Sequence, residues 1–264
     1  MSLLATLLLG AIAGFTIFLG LPIARLKNPS PAWQAFLNAL ATGILVFLLW
    51  DILTKATEPI DSALQAAQGG QGTHLVLLLT LFTGGLGVGL LSLVYVERQF
   101  IRRATKAAEI SEATATQLAL TIAVGIGLHN FSEGLAIGQA SRSGAIGLAA
   151  ILIIGFGLHN LTEGFGIAAP LTMSRQRPSW AFLALAGLVG GGPTFLGTVL
   201  GFGFQSEPVF VLFLALAAGS ILYVIAELLH VGRTFNRREL AVWGIFLGFL
   251  AGYFTDLLLT WSGA

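Results

Sequence analysis

Apolar residues along this chain come in long runs, separated by short polar clusters. Asp, Glu, Lys and Arg are absent from 1–24, 28–50, 62–96, 178–206 and 208–226, and three further stretches, 113–141, 143–174 and 240–264, are each broken by a single acid. A helix needs about 20 apolar residues to cross the hydrocarbon core of a bilayer. The pattern therefore predicts eight spans, near 3–24, 33–54, 75–96, 116–140, 145–172, 180–204, 208–230 and 240–260. They read as helices, because membrane strands would be about 10 residues long with strict alternation, and the run from Leu75 to Phe82 does not alternate. The expected fold is an all-α polytopic membrane protein, with 1–264 forming a single transmembrane domain and no separate soluble unit.

Composition agrees. Hydrophobic residues make up 56% and charged residues only 9% of the 264, against roughly 25% charged in soluble domains. The net charge of +1 leaves no polybasic surface for nucleic acid, and the absence of cysteine excludes disulfides, thiolate metal sites and thiol nucleophiles. The 34 glycines suit close helix–helix approach in lipid.

Basic residues orient the chain. Of the 13 Lys and Arg, eleven fall in alternate connections: Arg25 and Lys27; Arg98, Arg102, Arg103 and Lys106; Arg175 and Arg177; Arg233, Arg237 and Arg238. Only Lys55 and Arg142 lie on the other side. The positive-inside rule then predicts a multi-pass protein of the cell membrane with both termini extracytoplasmic, a retained first span, an external loop over 55–74 and a short cytoplasmic one over 97–115. Trp33, Trp50, Trp180 and Trp261 fall at span ends, as interfacial aromatics do.

The most informative feature is a repeat at a spacing of 30 residues. Gly125-Ile-Gly-Leu-His-Asn-Phe-Ser-Glu-Gly-Leu-Ala-Ile returns as Gly155-Phe-Gly-Leu-His-Asn-Leu-Thr-Glu-Gly-Phe-Gly-Ile. The copies occupy consecutive spans, which cross in opposite directions, so like sequence implies an inverted repeat centred on spans four and five. Transporters commonly bind substrate at such an interface, near the midplane.

In each copy His and Glu are four apart, His129 with Glu133 and His159 with Glu163, so on a helix both point to one face. Asn130 and Asn160 lie about 100° further round and could supply amide oxygens. All four titratable groups fall near mid-membrane, where a carboxylate costs at least about 2.5–3.5 kcal/mol. Two imidazoles and two carboxylates suit Zn²⁺, with Fe²⁺, Mn²⁺ or Co²⁺ admissible. The bland alternative is that each His and Glu bond one another and glue two helices. Gly134 and Gly164 read as packing glycines.

The doubled His-Asn-x-x-Glu-Gly, in spans four and five of an eight-span chain with outward termini, resembles the ZIP (Zrt/Irt-like) divalent metal transporters, most closely their bacterial and archaeal GufA-like branch. The resemblance implies transport of a divalent metal into the cytoplasm between spans four and five, with zinc first and iron, manganese and cadmium admitted. The metal is substrate; no catalytic cofactor is expected. Carried over by position, His129, Glu133, His159 and Glu163 would be primary ligands, and Asn130 and Asn160 secondary ones. Many members carry a carboxylate on span six that helps hold a second ion; here that region reads Gly190-Gly-Gly-Pro-Thr194. Nor does 97–115 carry the histidine tract that members often have there.

Other polar groups complete the reading. Glu227 and His230 share a face of span seven and resemble the family's acidic position there, implying a release-side pair. Asp51 and Asp256 fall near the outer ends of spans two and eight, where acids concentrate cations at an entrance, although solvated interfacial acids are as compatible. Pro193 is expected to break or kink span six, leaving Thr194 and freed carbonyls to line the path or to pack. His74 is expected to face solvent. Partners are the metal ion and the bilayer, and a homodimer is admissible.

Two rivals remain. A zinc protease needs His-Glu-x-x-His, which neither copy has, and a di-iron bundle wants more carboxylates. An exchanger linked to protons or sodium could use the His/Glu cluster as a relay.

Overall fold

The structure is a computed structural model that describes residues 2–26, 30–69, 72–100, 112–142, 157, 160, 161, 163–174, 176–203 and 206–261, with side chains outside 96–100, 112–114, 140, 173 and 258–260. Among these residues there are helices and no strands. The elements are α1 (Leu3–Phe15), α2 (Ile17–Gly20), α3 (Pro31–Ala67), α4 (Gly72–Phe100), α5 (Glu112–Arg142), α7 (Trp180–Gly203), α8 (Glu207–Thr234) and α9 (Arg238–Trp261). The helical residues 163–168 of the fifth span are α6. Seven segments among the described residues are long and apolar enough to cross a membrane. The predicted span 145–172 lies largely outside the described residues. The chain is an all-α polytopic membrane protein.

The first span, Leu3–Arg25, is α1 and α2 with a turn at Thr16, closed by a 3-10 turn over Leu21–Arg25. Helix α3 starts where Ser30 Oγ accepts from Trp33 N at 3.2 Å and Pro31 occupies the first turn, a favoured N-terminal arrangement. It does not stop near residue 54, as hydropathy alone suggests. Its 37 residues reach about 55 Å at about 1.5 Å per residue, well beyond the hydrocarbon core. The polar stretch expected to be a loop stays helical to Ala67 because it is amphipathic: Ile60 and Ala63 are buried with Leu78 of α4 and Val211 of α8.

Packing follows an inverted two-fold relation, which the glycines make explicit. A Cβ on Gly43 of α3 would strike Ile245 O of α9, and one on Gly248 would strike Leu40 O; likewise Gly219 of α8 abuts Leu86 O of α4, and Gly89 abuts Leu216 O. In the centre, Gly14 of α1 and Gly191 of α7 each abut the other's carbonyl. Gly134 of α5 abuts Thr194 O of α7, and Gly164 of α6 abuts Ile17 O of α2. These pairs superimpose under one exchange: the first span with α7, α3 with α8, α4 with α9 and α5 with α6. Counted along the chain, exchanged partners run in opposite senses, so the repeat is inverted and extends beyond spans four and five to the whole bundle. Lipid offers little hydrophobic force for helix association, so close backbone contact at small residues takes that role.

One expectation is corrected by the same symmetry. Helix α7 runs unbroken through Pro193. The carbonyl that Pro193 leaves without its usual donor is Val189 O, and Gly127 of α5 packs directly on it. Neighbouring helices thus hold the ladder in place, as they do for other prolines in membrane helices. The interruption occurs at the exchanged position on the first span, Thr16.

Candidate metal site

Helix α5 carries His129 and Glu133 one turn apart near its middle. His129 Nε2 lies 3.1 Å from Glu133 Oε1, and the two side chains are 3% and 7% exposed. Glu163 on α6 is buried as well, at 1%. His129, Glu133 and Glu163 lie within electrostatic reach of one another. His159 lies outside the described residues. Among the described residues no group of three or more His, Asp or Glu stands close enough to hold a metal ion.

The two asparagines show how the repeat builds this region. Asn130 Nδ2 donates to Gly190 O of α7 at 3.0 Å and to Glu163 Oε2 at 2.9 Å. Asn160 Nδ2 donates to Ala13 O of α1 at 2.9 Å, and Ala13 is the residue that exchanges with Gly190. Each amide thereby ties a motif helix to the span that packs on it. The bonding also fixes which way the Asn130 carboxamide points. Its NH2 faces two acceptors, and a flipped amide would set oxygen against oxygen. Asn130 Oδ1, Asn160 Oδ1 and Glu133 Oε2 are all buried and have no hydrogen-bond partner among the described residues. Buried acceptors are nearly always satisfied, so a donor or a cation suits this place.

Gly134 and Gly164 are packing glycines, as the sequence suggested. Around Pro193 and Thr194 the contacts are those of close packing: Gly127 lies 3.2 Å from Pro193 Cγ, and Gly14 lies 2.9 Å from Thr194 Cβ, both measured from a Cβ built on the glycine. Thr194 is fully buried.

At one end of the bundle, Asp51 is in an ion pair with Lys55, Nζ to Oδ2 2.7 Å. Asp256 lies in electrostatic reach of both, and Lys55 of Glu133. The structure therefore gathers the two acids that the sequence suggested for an entrance but adds a cation that the sequence reading left out. Lys55 follows Asp51 by four residues, an ordinary helical pairing, and was hidden by ending the span at 54. On α8, Glu227 is half-buried and His230 exposed. Glu227 exchanges with Asp51 under the repeat. His74 is half exposed and pairs with Glu207 Oε1 at 2.7 Å.

The ends sort by basic residues. Arg25 donates to Pro178 O and stacks on Trp180, 4.7 Å from the ring centroid, while Gln34 Nε2 reaches Thr172 O at 2.5 Å. Arg142 donates to Phe202 O at 2.8 Å at the other end of α7.

A helical membrane bundle built as an inverted repeat, with an imidazole and two carboxylates buried at its centre, has the architecture of secondary transporters. The family model described as ZIP Zinc transporter matches residues 96–255, and the chain belongs to that family. It is 29% identical over 265 residues to the zinc transporter ZupT of Chlorobium chlorochromatii (strain CaD3), covering 97% of this chain and 96% of that protein. Membership makes it a multi-pass membrane transporter of divalent metal, and not an enzyme.

Proposed function

We propose that the chain carries zinc or a similar divalent ion into the cytoplasm by alternating access, through one transmembrane domain and a central site formed by His129, Glu133, His159 and Glu163, with Asn130 Oδ1 and Asn160 Oδ1 as secondary ligands. The observation that carries this reading is the exchange of Asn130–Gly190 for Asn160–Ala13. It supports equivalent places for Asn130 and Asn160 on either side of one central locus, and the sequence sets His159 four residues before Glu163 as it sets His129 before Glu133.

The ion enters past Asp51 and Asp256 and leaves past Glu227 and His230. Because Glu227 exchanges with Asp51, each face of the bundle offers a carboxylate at an equivalent depth, as a site open alternately to the two sides requires. One divalent ion balances the charges of Glu133 and Glu163 together, which removes most of the cost of carrying two carboxylates in lipid. The count of basic residues supports a cell-membrane protein with the ends bearing Arg25 and Arg233 in the cytoplasm and both termini outside.

The test is zinc uptake into proteoliposomes holding a fluorescent reporter. Glu133→Ala and His159→Ala each abolish uptake while leaving a monodisperse protein; parental uptake in both variants would remove the central site. Iron, manganese and cadmium offered as competitors rank the substrates.

A further inference from the structure

A cavity of about 380 Å³ opens between the first half of α3, the last turns of α8 and the start of α9. It is well removed in sequence from the central site, and three features make it unusual in an apolar bundle. Arg233, Arg237 and Arg238 line it and are exposed, and no described carboxylate pairs with any of them. Asn38, only 2% exposed, also lines it. The Asn38 amide nitrogen is used, donating to Leu228 O at 2.9 Å, but its Oδ1 has no partner among the described residues.

The inverted repeat gives a control for this cavity within the same molecule. Exchange of α3 with α8 and α4 with α9 puts Asn38 at the position of Leu214 and Ala241 at that of Phe82. In that half both apolar side chains pack into core clusters. In this half an amide and a methyl group replace them, and the space stays open. Gly232, at the position of Ala56, brings no side chain to close it either, lying 3.0 Å from Asn38 Nδ2 by its absent Cβ. At these helical positions the cavity is thus a local departure from the packing of the other half.

We propose that this cavity binds the headgroup of an anionic phospholipid that carries a hydroxyl, as a glycerol headgroup does. Guanidinium groups hold phosphate through paired N–H donors, and basic pockets between membrane helices are suited to anionic headgroups. The hydroxyl supplies the donor that Asn38 Oδ1 lacks. The flanking surface is apolar and open to acyl chains, with Leu229 42% and Val242 63% exposed. The positive-inside tendency accounts for arginines at this end, but not for an open cavity or a buried amide oxygen beneath them. The same three charges make it unsuitable as a path for a divalent cation.

Thermal unfolding and native mass spectrometry of the full chain test this with three probes: phosphatidylglycerol, phosphatidylcholine and inorganic phosphate. Phosphatidylglycerol is expected to raise the Tm and to remain as a bound adduct, whereas phosphatidylcholine and phosphate do neither. Arg233→Gln/Arg237→Gln/Arg238→Gln is expected to weaken the lipid at least tenfold. Asn38→Leu and Ala241→Phe install the side chains of the other half; both are expected to fold and to lose the lipid response. The proposal is overturned if phosphatidylcholine or free phosphate matches phosphatidylglycerol, if no probe shifts the Tm, or if the filled variants respond as the parent does.

Discussion

Asn130 holds Glu163 from across a helix boundary, its amide nitrogen 2.9 Å from the carboxylate oxygen, while the same nitrogen anchors on Gly190 O at 3.0 Å. A residue that could be mistaken for a simple interhelical bond therefore also aims a buried acid.

Magnitudes separate the two roles. Interhelical hydrogen bonds in membrane bundles contribute about 0.6 kcal/mol on average, whereas loss of the partner that orients a metal-binding carboxylate typically costs about 10–100-fold in metal affinity. Asn130→Ala is expected to fold nearly normally and to raise the zinc concentration for half-maximal uptake by roughly that factor. Asn130→Asp, which sets a carboxylate against two acceptors, is expected to be worse. A shift in Tm as large as the shift in affinity would argue for a purely structural residue.

Zinc should stabilise the folded protein, since a ligand at about 100 times its Kd adds about 2.7 kcal/mol. Glu133→Gln and Glu163→Gln are expected to lose most of this gain, and by similar amounts because the repeat exchanges them. Differential scanning fluorimetry with zinc and with a chelator reads the effect. Metal analysis of the purified protein separates a metal carrier from a proton relay, which needs no bound metal.

If the ion enters past Asp51 as proposed, Lys55, which is paired with that acid, competes with it. The Asp51–Lys55 pair is partly buried, so the about 0.2–1 kcal/mol of an exposed pair is a lower bound, and Lys55→Met is expected to raise initial uptake at subsaturating zinc by at least about 1.5-fold, and less at high salt. The gain should vanish when Asp51→Asn is added. An equal gain in that double variant would mean that Lys55 acts elsewhere.

Gly14 and Gly191 meet backbone to backbone, whereas Gly192 has open space where a Cβ would be. Gly14→Val and Gly191→Val are each expected to destabilise by about 1–3 kcal/mol, as overpacking does, and by comparable amounts. Gly192→Ala should be nearly neutral. Thermal unfolding in detergent gives the comparison, and a tolerated Gly191→Val would contradict the central helix contact.

The sequence by itself determined the helical membrane class, the positions of most spans and the inverted relation of the two motif copies, and it singled out His129, Glu133, Asn130, Asn160 and Glu163, which the structure buries. Charges and apolar runs suffice for this, because a bilayer makes every buried charge costly and every span about 20 residues long. Tertiary structure decided the rest. Hydropathy is blind to an amphipathic helix that leaves the bilayer, so α3 reached Ala67 rather than ending near 54, and Lys55 came with it. Proline signals a lost hydrogen bond, but the packing of Gly127 on Val189 O accompanies a helix α7 that runs unbroken. The roles of the glycines, the amide orientation of Asn130 and the cavity under Asn38 depend on which helix lies opposite. Sequence periodicity marks a face; the neighbour that covers it, or leaves it open, is set only when the helices pack.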